Sequence, residues 1–225
     1  MNITVHLYQV TQNMDLYMKN KQAKWWNEAK SYLMLNDPIM KKIISKYNKG
    51  SLESRGEPFK ALCRTIIGQQ ISVKAAASIW NKFETGIKSV EPINIINFDS
   101  NNLRSFGLSS KKVEYITSLS NFMIENPLAI NSWKKMSDAM VIKDLCKIKG
   151  IGPWSAEMFL MFVFLRPDIL PLGDLGLRRA VGIHYLQKND PTYKEVEQVA
   201  EKWTPYRSAA TWYLWRSIDP IPVSY

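Results

Sequence analysis

The chain holds only two cysteines and two histidines in its 225 residues. A structural zinc site needs four thiolate or imidazole donors at close spacing, and neither His6 nor His184 has a second donor at such a spacing. Two cysteines are also too few for a four-cysteine iron–sulfur loop. Cys63 and Cys146 both fall in apolar helical patterns, so they are expected to be buried and reduced, with no secreted disulfide framework. No side-chain metal site and no cofactor are expected. Long apolar runs are missing too. The longest, Met158 to Leu165, has eight residues, against the ~20 that a membrane helix needs. The N-terminus has no basic segment leading into an apolar core, so no secretory signal is expected and the location is expected to be intracellular: cytoplasm and nucleoid, or nucleus. There is almost no strand-like alternation, and internal repeats, low-complexity tracts and charged tails are absent as well.

What is present is a core-forming, basic chain. Hydrophobic residues make up 46% and aromatics 12%, which excludes global disorder. Thirty Lys and Arg against twenty Asp and Glu give a net charge of +10. With no charged tail to carry it, the excess belongs on a folded surface and points to a polyanion, nucleic acid first.

Apolar residues recur at helical spacing over 25–35, 39–47, 59–68, 73–83, 113–123, 133–146, 154–165, 175–186, 193–203 and 206–217, with a shorter segment at 99–104. Short loops holding Pro, Gly, Asn or Ser separate them, so the pattern predicts an all-α protein of roughly ten helices. Residues 1–23 are weakly patterned: Ile3–Tyr8 reads as a short strand or an arm, and Met14–Met18 as the start of a helix. Ser109 or Ser110 caps the helix at 113, which sets Lys111 and Lys112 against its dipole. They are either solvated or offset by an anion.

The most informative stretch is Leu145-Cys-Lys-Ile-Lys-Gly-Ile-Gly-Pro-Trp-Ser-Ala156. Gly150 falls where the incoming helix must stop. Pro153 suits the first turn of the outgoing one. Backbone amides of Gly150, Ile151 and Gly152 then face outward at a helix start, an arrangement that binds phosphate. Lys147 and Lys149 flank it. A second stretch, Leu170-Pro-Leu-Gly-Asp-Leu-Gly-Leu-Arg-Arg179, places Asp174 as the N-cap of the helix beginning at Leu175.

Lys149-Gly-Ile-Gly-Pro-Trp-Ser-Ala156 resembles the hairpin of the helix-hairpin-helix (HhH-GPD) DNA glycosylases, and Pro171-Leu-Gly-Asp-Leu-Gly-Leu177 resembles that superfamily's catalytic-aspartate segment. Phe59–Ala76 and Trp203–Trp215 are similar to the AlkA-like, 3-methyladenine branch. The four matches occur in order and span most of residues 30–217. The resemblance implies one glycosylase unit over 1–225, built as two helical lobes around a cleft, with residues 1–23 as a possible arm. The helix-hairpin-helix would occupy about 143–165 and its hairpin 145–156. About thirty residues before the core cannot supply the β domain of larger relatives, so the compact form is expected.

The resemblance also implies the site. Asp174 would be catalytic: a carboxylate held by amides stays ionised and steadies the oxocarbenium-like sugar that forms as a base leaves. Asp168 and Asp144 are the alternatives should Asp174 serve only as a cap. Trp154 and Trp215 match base-pocket positions, where aromatic faces suit a cationic alkylated purine; plain core packing is the other reading. Met158 and Leu175 stand where some relatives carry pocket tyrosines. Gln70, flanked by Gln69 and Ile71, would be the wedge that fills the gap left by a flipped nucleotide, though Gly68 and Ser72 also read as ordinary caps. Gly150, Ile151 and Gly152 would grip a phosphate, with a monovalent cation at the hairpin carbonyls and Lys147, Lys149, Arg178 and Arg179 as helpers. Arg207 reads as an internal ion-pair partner.

Strand-cutting relatives use a lysine just after the hairpin to form a Schiff base. Here Pro153-Trp154-Ser155 stands in that place, which implies a monofunctional enzyme that leaves an abasic site in damaged double-stranded DNA; the sequence does not give an oligomeric state, but acting on one lesion needs only a monomer. The competing readings are a non-catalytic helix-hairpin-helix DNA-binding protein and a bifunctional oxidised-purine glycosylase/lyase.

Overall fold

Side-chain caps set where several of the helices begin. Asp37 accepts the amides of Ile39 and Met40, Ser72 that of Ala75, Asp99 those of Asn101 and Asn102, and Ser109 that of Lys112. Thr192 and Glu195 form a reciprocal capping box. Each such cap supplies acceptors for amides that a helix start otherwise leaves unpaired. In this computed structural model residues 22–219 are described, and among them thirteen α-helices follow one another with no strand beyond an isolated bridge between Gln22 and Glu53.

The helices are α1 (Trp26–Asn36), α2 (Pro38–Lys46), α3 (Pro58–Gly68), α4 (Val73–Ile87), α5 (Pro92–Ile96), α6 (Ser100–Ser105), α7 (Ser110–Glu125), α8 (Ala129–Trp133), α9 (Asp138–Leu145), α10 (Pro153–Phe162), α11 (Leu175–Val181), α12 (Tyr193–Ala200) and α13 (Arg207–Ile218). The all-α expectation holds, and the count exceeds ten for physical reasons. The helix expected over 133–146 begins only at Asp138, after the N-cap position Ser137, and Trp133 instead ends a separate short helix, α8. Five-residue α5 is too short to show periodicity. The helix expected to reach Leu165 ends at Phe162, and Leu165 takes a positive φ of 51°. The one expected over 175–186 leaves α geometry at Val181 and finishes as a π turn over Gly182–Leu186. The expectations for residues 1–21, including His6, lie outside the described residues.

The chain divides into two compact units. One comprises the described residues up to Glu57 and those from Leu160 onward; the other comprises Pro58–Phe159. The first is centred on aromatics. Trp26 stacks on Tyr213 at 5.3 Å and meets Trp212 edge-on at 5.1 Å. Beneath them Asp37, fully buried, accepts hydrogen bonds from Tyr185 Oη (2.7 Å) and Trp203 Nε1 (2.9 Å) as well as its two cap amides. Burial opposes its ionisation, but those donors, Trp203 first, and the nearby Lys202 outweigh it and hold the carboxyl below its ordinary value.

The core of the second unit gathers Leu62, Ile66, Ile67, Phe83, Ile116, Leu119 and Trp133, all essentially inaccessible. Trp133 is stacked on Phe122 and edge-on to Phe159. Cys63 is buried as expected; Cys146 is not, because it falls on the outer side of the turn after α9. No described helix is long and apolar enough to cross a membrane.

Candidate active site

Asp174 follows Gly173 in extended backbone and opens α11. Its Oδ1 accepts two hydrogen bonds, from the Leu177 amide at 2.7 Å and from Trp215 Nε1 at 2.8 Å. The residue is therefore both a cap and a carboxylate aligned by an indole. Trp215 is in turn stacked on Phe162, with ring centroids 6.1 Å apart and planes within 10°. Beyond Phe162 lies the Arg55 guanidinium, 3.8 Å from the ring centroid. The Arg55 amide also donates to the Phe162 carbonyl at 2.8 Å. An arginine, two flat rings and the carboxylate thus form one supported series, which fixes the indole plane and through it one oxygen of Asp174.

Gly176 completes the arrangement. A Cβ there would lie 3.1 Å from Asp174 Oδ1 and 3.1 Å from Trp215 Cδ1, tighter than carbon atoms ordinarily pack. A side chain at this point would have to push the carboxylate and indole apart by a few tenths of an ångström. Upstream, the loop that delivers Asp174 is fastened to the start of α13, the helix that carries Trp215. Arg207 makes two 2.7 Å bonds to the Asp168 carboxylate, and Ser208 Oγ donates to the Arg166 carbonyl and accepts from the Ile169 amide. Arg207 is the internal partner expected, and Asp168 is occupied by it. Asp144 likewise receives Lys147 and Trp133 Nε1, which together hold its carboxyl below its ordinary value. Neither aspartate is placed to replace Asp174.

The hairpin lies in the second unit. α9 ends at Leu145, a turn carries Gly150 and Gly152, and Pro153 opens α10. Gly150 has φ of 90°, and a Cβ there would sit 2.2 Å from the ring of Tyr115. Glycine is required twice over, by backbone conformation and by the aromatic packed beneath it. α7 backs the hairpin through that tyrosine and through Glu114, which pairs with Lys149. Lys147 pairs with Asp144. Both lysines are well exposed, so exchanging these surface partners for a phosphate is energetically light.

Several candidate residues are placed differently from expectation. Gln69 is not a free neighbour of the wedge: its side-chain amide donates to the Gly150 carbonyl at 2.9 Å and approaches Ser155 Oγ at 3.5 Å. It braces the hairpin from a position 81 residues earlier in the chain. Gln70 and Ile71 are the exposed tip between α3 and α4, and Gln70 holds a left-handed φ of 59°, a strain that a non-glycine residue rarely accepts. Lys112 is not offered to an anion; its ammonium caps the end of α3 at the Ile67 carbonyl, 2.7 Å away, and burial lowers its pKa.

Met158 is packed into the core at 2% exposure. Trp154, in the first turn of α10, is half-buried. Leu175, by contrast, is 72% exposed and lines a groove on α11 with Arg178 and Ile183. The sequence reading missed Phe162, Arg55 and Gly176. Phe162 is hidden in the all-apolar run of α10, Arg55 in a loop, and only the Gly-Asp-Leu-Gly spacing hinted at Gly176.

The helix-hairpin-helix and the capped, indole-bonded aspartate define a class. A model of the HhH-GPD superfamily base excision DNA repair proteins matches residues 63–206, a range that takes in Gln69, the hairpin and Asp174. The chain belongs to this superfamily. It is 31% identical over 182 residues to DNA-3-methyladenine glycosylase 1 of Schizosaccharomyces pombe, covering 78% of this chain and 79% of that protein. Among solved structures it is similar to a DNA-3-methyladenine glycosidase from Bacillus halodurans, with a TM-score of 0.77, 30% identity, and 88% and 92% of the two chains covered. It is also similar to a 3-methyladenine DNA glycosylase of Schizosaccharomyces pombe in complex with abasic DNA, with a TM-score of 0.73, 30% identity, and 84% and 96% covered.

Proposed function

We propose that this protein is a monofunctional DNA glycosylase of base excision repair, acting as a monomer on alkylated purines of the 3-methyladenine and 7-methylguanine type in double-stranded DNA. The observation that carries the reading is Asp174, its Oδ1 held between a helix-start amide and the Trp215 indole. As the N-glycosidic bond breaks, the electron pair leaves with the base and positive charge collects on the sugar. A fixed carboxylate lowers that barrier electrostatically. Water then adds to the anomeric carbon and gives up a proton, which in this reading Asp174 accepts. The product is an abasic site, with both strands intact.

The other parts serve positioning. The hairpin amides of Gly150 and Gly152 grip a backbone phosphate, whereas that of Ile151, also expected to do so, donates to the Ile148 carbonyl at 3.0 Å; a sodium or potassium ion at the hairpin carbonyls is the one inorganic partner we propose. Gln70 and Ile71 enter the stack where the damaged nucleotide leaves, which offsets a cost of a few kcal/mol. An alkylated purine is cationic, leaves readily and suits the faces of Trp215 and Trp154. Met158, expected in the pocket, is packed into the core and Leu175 faces solvent, so neither supplies an aromatic face, and hypoxanthine or 1-methyladenine are further substrates consistent with this reading. The protein acts inside the cell, where its DNA is.

Base release from methylated duplex DNA by the wild type and by Asp174→Asn, with DNA binding measured alongside, tests this. Release is expected from the wild type and is expected to fall on the order of 10²-fold or more in the variant, with binding kept. Equal rates would leave Asp174 a helix cap. A wild type that binds DNA but releases no alkylated or deaminated base would make the protein a non-catalytic DNA-binding module, and borohydride trapping of a covalent adduct would make it a lyase.

A further inference from the structure

Beside Asp174, α11 presents a face that the site does not use. Leu175 and Ile183, 72% and 51% exposed, form the apolar sides of a groove of about 420 Å³, completed by Arg178, Arg179, Asn189 and Asp190. Solvent-exposed aliphatic side chains flanked by two arginines suit neither a core nor an apolar ligand. The arginines are also poorly satisfied. Among the described residues Arg179 makes no side-chain hydrogen bond or ion pair. Arg178 is 20% exposed, lies over the Tyr193 ring at 5.3 Å, and has a buried Nε with no partner. Its one ionic contact is a long 3.6 Å approach to Asp190, which is 82% exposed.

That contact is not what holds the Asn189-Asp190-Pro191 turn. The turn is fastened already by the Lys188 amide on the Gly182 carbonyl and by the Lys188–Glu195–Thr192 cluster that opens α12. Asp190 therefore behaves as an occupant of the arginine's open side.

We propose that this groove is a second backbone anchor for DNA: a phosphodiester of the strand that carries the lesion replaces Asp190 at Arg178 and also meets Arg179, while Leu175 and Ile183 pack against the adjoining deoxyribose. The proposal rests on Asp174 being the catalytic carboxylate. If Asp174 faces the sugar being cleaved, Arg178 stands four residues further along the same helix, about 6 Å on its axis, which is the reach to a phosphate flanking that nucleotide. The occupant is anionic and flexible, as two arginines over aliphatic walls require, and phosphate accepts the paired donors of a guanidinium. Asp190 then acts as an internal competitor, which sheds loosely placed anions and yields to a phosphate held in register by the nucleotide at Asp174.

Equilibrium binding of the full-length protein to an abasic duplex, measured across a series of salt concentrations, tests the assignment with the variants Arg178→Gln, Arg179→Gln and Asp190→Asn. Each arginine variant is expected to weaken binding and to flatten the plot of log K against log salt by about 0.9. Asp190→Asn is expected to bind about two- to fivefold tighter, the range of an exposed ion pair, and to lose that gain when combined with Arg178→Gln. Unchanged slopes in the arginine variants, or an Asp190→Asn variant that binds no tighter, would overturn the anchor. A gain in Asp190→Asn that survives Arg178→Gln would reduce it to a general charge effect. Base release by the wild type is scored separately: its absence refutes the glycosylase, whereas release with unaltered binding slopes refutes only the groove.

Discussion

Gly176→Ala separates stability from catalysis in opposite directions. Gly176 is the second residue of α11 and does not sit at positive φ, so its backbone accepts alanine. Replacing glycine within a helix ordinarily stabilises by about 0.5–1 kcal/mol. The new methyl, however, would start 3.1 Å from both Asp174 Oδ1 and Trp215 Cδ1. Relief to ordinary contact needs about 0.4 Å of movement, and the two partners that must move are the ends of the 2.8 Å bond between Trp215 Nε1 and the carboxylate. A hydrogen bond to a charged group is worth about 1.5–3 kcal/mol, so partial loss of about 1–2 kcal/mol slows base release roughly 5- to 30-fold. The assay is single-turnover release of methylpurine from duplex DNA, paired with a thermal melt. The rate is expected to fall while Tm holds or rises. Trp215→Phe, which keeps the ring and removes the donor, should produce a similar loss, and the double variant should be little worse than either, since both act on one contact. A Gly176→Ala enzyme with the full rate, or losses that multiply fully in the double variant, would refute the idea that the indole bond aligns the carboxylate.

Three further expectations follow from the geometry. Asp37→Ala leaves Trp203 Nε1 and Tyr185 Oη without their buried acceptor and should cost about 3–5 kcal/mol of unfolding free energy in a denaturant titration. Because the Asp37 carboxyl is held below 3.8 in the folded protein, its contribution is complete above that pH and fades as pH falls through the depressed value; a wild type and an alanine variant that lose stability in parallel below pH 4 would contradict this. Gln69→Ala removes the strut to Gly150 and should slow release about tenfold for a lesion in a stable pair but less for one opposite a mismatch, where flipping is easier; an equal loss in both contexts would mean a general structural defect. A thiol reagent should modify one cysteine in the native protein, Cys146, and two after denaturation, with Cys63 as the protected one.

What the sequence made legible was local. Asp37, Ser72, Ser109 and Asp174 announce helix starts because a cap bonds amides two or three residues away, and the hairpin announces itself because its glycines and proline are adjacent. Helix ends were less legible. Trp133 and Phe162 continue an apolar pattern past the point where the backbone turns, and periodicity does not report that. The site was legible in its centre and not in its support. Asp174 and Trp215 lie 41 residues apart, and nothing local predicts that they bond. Gln69 reads as a loop residue until its carbonyl partner is known.

Two glycines make the point sharply. Gly176 weakens the first turn of α11 and Gly150 holds a φ of 90°, so on local grounds each is a concession. Each also lies under an aromatic ring, Trp215 in one case and Tyr115 in the other. In the first the ring aligns the carboxylate; in the second it backs the hairpin turn that we propose faces a phosphate. A residue that disagrees with its own element is therefore the useful signal here. The missing side chain marks a place where a distant ring comes close, as it also does at Gly50 beside Trp212 and at Gly86 against Phe106, so the glycine flags the contact and the groups around it, a carboxylate or a hairpin turn, decide what that contact serves.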